Sequence, residues 1–177
     1  MHGIDESREF KPVRIAVLIV SDTRILETDT SGATLAGRIE SAGHILADRT
    51  IVRDDKTEIR AQVSQWIADP NVDVVISSGG TGLTGRDVTP EAVTPLFDKI
   101  IEGFSVIFHQ VSFQSVGLST LQSRAVAGLA GETFIFCLPG STGAVKDGWD
   151  KVISWQLDSR HMPCNLVELM PRLSEHT

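Results

Sequence analysis

Apolar positions fall in short blocks separated by polar, glycine-containing stretches. Residues 13–20 (VRIAVLIV) form a nearly continuous run rich in β-branched side chains, the pattern of a strand buried on both faces. The run stops at Ser21, Asp22 and Thr23, a polar cluster at the strand's carboxyl end. Residues 31–42 carry Leu35, Ile39 and small alanines on one face and predict a helix; residues 44–52 predict a second strand. Asp55, with Glu58 three residues on, has the form of a capping box. Behind it, Ile59, Val63, Trp66 and Ile67 recur at helical spacing. Pro70 and Asn71 end that helix, and residues 73–77 predict a third strand. Thr89 before Pro90 marks another helix start, with Thr89 the expected cap. Residues 104–115 read as helical and residues 133–137 as the last strand. Val145, Trp149, Ile153 and Leu157 share one face of a closing helix. The tail from Asp158, with Pro163 and Pro171, is expected to be irregular, and the polar opening to be a flexible arm. The expected organisation is an arm over residues 1–12 and one domain over residues 13–177.

Strands alternating with helices imply parallel pairing with right-handed crossovers. An open parallel sheet places its ligand at the carboxyl ends of the strands. Three polar loops fall there: residues 21–23, 78–87 and 139–142.

Composition narrows what such loops can serve. The 177 residues are 41% hydrophobic and 22% charged, enough apolar material for a core. Lys plus Arg number 16 against 23 acids, a net charge of −7, which argues against a general nucleic-acid partner. No apolar run reaches the roughly 18–20 residues of a membrane span, and no signal-peptide pattern opens the chain, so a cytoplasmic location is expected. Cys137 and Cys164 make no disulfide framework, and the five histidines lack metal-ligand spacing.

The most informative stretch is residues 77–93 (SSGGTGLTGRDVTPEAV). Gly79, Gly80 and Gly82 let a backbone approach a ligand closely, and successive amides there can form an anion nest. Spacing alone fits a tight structural turn as well as a phosphate cradle. A P-loop fails on mechanism: Arg86 replaces its lysine and Asp87 its magnesium-binding hydroxyl. Asp87, seven residues past the nest, reads as a helix cap or as a carboxylate for Mg²⁺. Asp54 is spare once Asp55 caps the helix, though taken alone it reads first as a solvated turn residue. Ser123 and Arg124 fit a hydroxyl and cation for an anionic ligand, or a cap and a surface ion pair.

Taken together, residues 19–23 (IVSDT), the Asp54–Asp55 pair, residues 77–93, residues 121–128 (LQSRAVAG) and residues 138–145 (LPGSTGAV) resemble the MoaB/Mog family of molybdenum cofactor biosynthesis proteins. The motifs run in family order across nearly the whole domain. The resemblance implies an α/β fold, a three-layer αβα sandwich with a mostly parallel central sheet. It implies binding of molybdopterin, a pyranopterin dithiolene phosphate, and adenylylation of its terminal phosphate by ATP and Mg²⁺ with release of pyrophosphate. Carried over by position, Asp54, Asp87 and Ser123 are the expected catalytic residues, with Asp87 the metal ligand. Substrate contacts are expected from Ser21, Asp22, Gly79, Gly80, Thr81, Gly82, Arg124, Pro139, Gly140 and Ser141. Trimers or hexamers are implied, and association with other enzymes of the pathway. The same resemblance admits a non-catalytic molybdopterin-binding or scaffold protein, a role to which Arg53 and the Ser141–Thr142 pair are relevant.

Overall fold

The computed structural model describes residues 3–175. The chain runs through β1 (Gly3–Ile4), β2 (Arg14–Val20), α1 (Thr30–Ser41), β3 (Ile45–Val52), α2 (Lys56–Ile67), β4 (Val74–Ser78) and α3 (Thr89–Val93). It continues through β5 (Lys99–Ile100), α4 (Glu102–Val116), a 3-10 segment (Gly117–Gln122), β6 (Val126–Ala130) and β7 (Thr133–Leu138). A helical stretch then begins as α5 (Thr142–Gly148), passes through a π turn (Trp149–Ile153) into α6 (Ser154–Leu157), and is followed by β8 (His161–Met162) and a 3-10 segment (Met170–Arg172).

Six strands form the central sheet in the order β3-β2-β4-β7-β6-β5. The β2–β3, β2–β4 and β4–β7 pairings are parallel, whereas β6 runs antiparallel to β7 and β5 to β6. Alternation along each strand splits the core in two. Ile15, Val17 and Ile19 of β2 pack on one face with Leu35, Phe108 and Trp149. Ala16, Leu18 and Val20 pack on the other with Ile59, Val63 and Trp66. Both faces are thus covered by helices, which is why β2 reads as unbroken apolar sequence, and the result is the three-layer α/β sandwich expected.

The antiparallel edge departs from simple strand–helix alternation. Gly128, in the middle of β6, has the Phe97 ring where a side chain would stand, so this strand lacks the β-branched signature of the others. Asp55 caps α2 as expected, accepting from the amides of Thr57 at 2.8 Å and Glu58 at 3.0 Å. Glu58 reaches back to the amide of Arg53 rather than to the cap itself.

The opening segment corrects an expectation. Residues 3–12 are packed rather than a free arm: β1 pairs antiparallel with β8, matching Gly3 to Met162 and Ile4 to His161. The Lys11 amide donates to Ser159 Oγ at 2.8 Å, and Phe10 stacks beside His44 and under the Arg160 guanidinium. Residues 1 and 2 lie outside the described residues.

Candidate functional site

The carboxyl ends of β2, β4 and β7 open onto a cleft of about 600 Å³. Ser21, Gly79, Gly80, Thr81, Gly82, Asp87 and Ser123 line it, as do Pro139, Gly140 and Ser141. The three loops expected from topology therefore meet in one place.

The glycine loop is held from behind at every carbonyl. Gly79 O accepts from Thr89 Oγ1 at 2.9 Å, and Gly80 O from the Thr89 amide at 2.9 Å. Thr81 O accepts from the Arg124 amide at 2.9 Å, and Gly82 O from Arg124 Nε at 2.7 Å. Neither Thr89 nor Arg124 lines the cleft. Because each peptide is planar with its N–H opposed to its C=O, the amides of Gly80 and Thr81 turn to the opposite side, toward the cleft that these residues line, while the Gly82 amide is directed to the Asp87 carboxylate. Gly79 (φ +112°) and Gly80 (φ +65°) adopt backbone that other residues rarely take, and a Cβ on Gly79 would be driven into Val20 O. The fold thus makes an amide cradle in which Gly79 and Gly80 have no room for a side chain.

Several residues take other places than the sequence suggested. Thr89 is inside α3, not its cap; its hydroxyl latches Gly79, and Val88 occupies the cap position without a side-chain bond. Arg124 was expected to touch substrate. Its guanidinium instead spans Gly82 O, Asp87 O at 2.7 Å and the Glu91 carboxylate, so it acts by bracing the loop. Asp87, which sequence gave no structural duty beyond capping, accepts from Thr84 through both the amide (2.9 Å) and the hydroxyl (2.6 Å). Those bonds hold its carboxyl below the usual aspartate range, with the Gly82 amide and Arg124 acting in the same sense.

Asp22 and Asp54 do not line the cleft, and Asp54 sits against Gly80, its Oδ1 3.3 Å from where a Cβ there would stand. They exchange bonds, the Asp22 amide to Asp54 Oδ2 at 3.1 Å and the Asp54 amide to Asp22 Oδ1 at 3.3 Å. Asp22 also pairs with Arg86. Burial pushes the Asp54 carboxyl up, and the negative charge of Asp22 adds to this, with a smaller contribution from Asp87. The two acids expected to act together therefore flank the loop and are shifted in opposite directions. Among the described residues no group of three or more His, Cys, Asp or Glu can hold a metal by itself. Mg²⁺ is often held by one or two carboxylates with the remaining positions filled by water and substrate phosphate, and Asp87 with Asp54 fits that donor set.

The sequence reading missed the opposite wall. Ser112, Ser115, Ser119, Thr120 and Gln122, from α4 and the 3-10 segment, line the cleft. Ser112, Ser115 and Ser119 recur at three- and four-residue spacing, a small polar stripe that helical periodicity could have revealed. Arg24 also lines the cleft; its guanidinium donates to Gly140 O at 3.1 Å and to Ser31 Oγ. Ser141 caps α5, accepting from the Ala144 amide at 3.1 Å, so a helix start opens on the cleft.

Comparison with known proteins agrees with this fold. Residues 16–159 match the family described as a probable molybdopterin binding domain. Molybdenum cofactor biosynthesis protein B of Escherichia coli K12 is 53% identical over 159 residues, covering 90% of this chain and 94% of that protein. A crystal structure of a molybdenum cofactor biosynthesis protein B superposes with a TM-score of 0.85 at 39% identity, covering 94% of this chain and 98% of the other. The tungsten cofactor synthesizing protein MoaB from Pyrococcus furiosus superposes with a TM-score of 0.76 at 32% identity, covering 93% and 99%. With its motifs and its sheet in agreement, this chain belongs to the MoaB/Mog family of molybdenum cofactor biosynthesis proteins, and residues 16–159 match the model of a probable molybdopterin binding domain.

Proposed function

We propose that this protein serves molybdenum cofactor biosynthesis by binding molybdopterin in the cleft and transferring the adenylyl group of ATP to its terminal phosphate. An oxygen of that phosphate attacks the α-phosphorus of ATP, the bond from that phosphorus to the bridging oxygen breaks, and pyrophosphate leaves. The observation that carries the reading is the glycine loop, whose four carbonyls are held from behind so that its Gly80 and Thr81 amides face a cleft lined by Ser123 and Ser141. Such amides are fixed donors for phosphate oxygens and need no reorganisation during reaction. Asp87 and Asp54 would hold Mg²⁺, which when bound neutralises the charge that otherwise keeps two anions apart. A phosphate nucleophile needs no strong base, consistent with a cleft lined by hydroxyls and acids rather than histidine.

A second reading, a pterin-binding protein that performs no transfer, is favoured by one observation. Asp87 is already engaged by Thr84, and Asp54 by Asp22. Incubation with molybdopterin, Mg²⁺ and ATP separates the two: pterin-dependent pyrophosphate release supports transfer, whereas saturable pterin binding without release supports the second reading.

The protein acts in the cytoplasm and associates with copies of itself as a trimer or hexamer. Along α4 and the 3-10 segment, Val106, Phe113, Val116, Leu118 and Leu121 are each more than half exposed, an apolar strip bordering the cleft that a second copy would cover. No helix among the described residues is long and apolar enough to cross a membrane.

A further inference from the structure

Two hydroxyls in the serine-rich wall of the cleft have no use inside the protein. Thr120 is only 7% exposed, and its Oγ1 is buried with no hydrogen-bond partner among the described residues. Ser123 Oγ is buried and unpartnered in the same way. Both residues line the cleft. The Ser123 amide donates to Thr120 O at 3.1 Å, closing one 3-10 turn. Side chains three apart in such a turn rise from the same side of the backbone, so the two hydroxyls belong to one stretch of the cleft lining.

The turn is fixed on both flanks. His109 Nε2 lies 3.0 Å from Ser123 O and donates to it in the Nε2–H tautomer. The next amide, Arg124, is tied to Thr81 O. The backbone of the pair is therefore held in place, and each hydroxyl can turn only about its own χ1. Buried hydroxyls without partners are costly and uncommon, and two together in a polar cleft point to an acceptor that arrives from outside. The glycine amides and the flanking acids suit the polyphosphate with its cation. The opposite wall contributes neutral donors one turn apart, which suit two oxygens of a single phosphate group.

We propose that Thr120, together with Ser123, grips the terminal phosphate of the acceptor, setting the attacking oxygen in line with the glycine loop. This rests on the adenylyl-transfer reading given above, and it adds a substrate-binding residue that carries no charge.

The test is titration of molybdopterin and, separately, of Mg-ATP into the full-length protein and its Thr120→Val and Thr120→Ser variants. Thr120→Val weakens molybdopterin binding about tenfold, the size expected for a lost bond to a charged group, and leaves Mg-ATP binding within about twofold. Thr120→Ser binds like the parent. Ligand-free Thr120→Val melts at or above the parent temperature, because it removes a buried hydroxyl that has no partner. Unchanged molybdopterin affinity in Thr120→Val overturns the proposal, as does a loss confined to Mg-ATP. A Thr120→Ser variant that binds as poorly as Thr120→Val also overturns it. A parent protein that binds Mg-ATP but no molybdopterin overturns the functional reading itself, and the role of Thr120 with it.

Discussion

The two walls of the cleft are finished to different degrees. In the glycine loop every carbonyl from Gly79 to Gly82 is taken by Thr89 or Arg124, and the Asp87 carboxylate is taken by Thr84. In the serine-rich stretch of the lining, Thr120 and Ser123 present buried hydroxyls with no partner among the described residues. A wall whose bonds are complete keeps its shape whether or not a ligand is present, and that suits a cradle that must point fixed amides at developing charge. A wall with open valences gains its partners only from the ligand, which suits recognition, because a molecule lacking the matching oxygens leaves the hydroxyls unpaired. The contrast divides the cleft lining into a part whose bonds are complete and a part with two hydroxyls left open.

Breaking the part whose bonds are complete should have the largest effects. Asp87→Asn keeps the volume but removes the charge that would hold Mg²⁺, and adenylyl transfer should fall by about a hundredfold or more while molybdopterin still binds. Steady-state pyrophosphate release against a molybdopterin titration measures both.

Gly79→Ala forces a Cβ into Val20 O at a φ of +112°. It should cost about 1–3 kcal/mol, with Tm lowered by roughly 2–4 °C for each kcal/mol in a chain of this size. Scanning calorimetry checks it, and an unchanged Tm would show that the loop is not held as rigidly as its bonds imply.

Arg124→Lys retains charge but loses the planar fork that reaches Gly82 O, Asp87 O and Glu91 together. It should cost about 1–2 kcal/mol in stability and weaken Mg-ATP more than molybdopterin. An equal loss for both ligands would erase the distinction between the walls.

The smallest effect is on pH dependence. Asp87 is held below the ordinary aspartate range, so its bonds with Thr84 stabilise the fold above that range and are lost only as pH falls through the lowered value. Asp54 lies above its ordinary range, so as pH falls it takes up a proton first, and this relieves the buried charge rather than costing stability. The acid limb of Mg²⁺-dependent transfer should therefore follow Asp54, and Asp54→Asn should flatten it. Rate–pH profiles of parent and variant test this. The Asp87→Asn stability deficit should meanwhile shrink in strong acid, where the parent has lost the same bonds.

The same division explains what the sequence made legible. The run from Val13 to Val20 announced a central strand because both its faces are buried, and Asp55 announced the start of α2 because a cap is a local device. β6 stayed hidden because Gly128 makes room for Phe97, a contact supplied by distant chain. The packed opening segment was equally silent: Phe10 is one apolar residue in a polar stretch, and its partners His44 and Arg160 lie far along the sequence. In the site, the glycines were legible because a motif exposes them. The bracing duty of Arg124, the latch at Thr89 and the engagement of Asp87 are relations between residues, which no motif records. The serine stripe was present in the sequence as a helical period and was passed over because its residues carry no distinctive chemistry singly.

The central claim is that the cleft transfers an adenylyl group rather than merely holding a pterin. The most direct measurement mixes the protein with molybdopterin, ATP and Mg²⁺ and follows pyrophosphate together with the adenylylated pterin. The account predicts stoichiometric appearance of both products, dependent on pterin and metal and lost in Asp87→Asn. Saturable molybdopterin binding with neither product formed would contradict it.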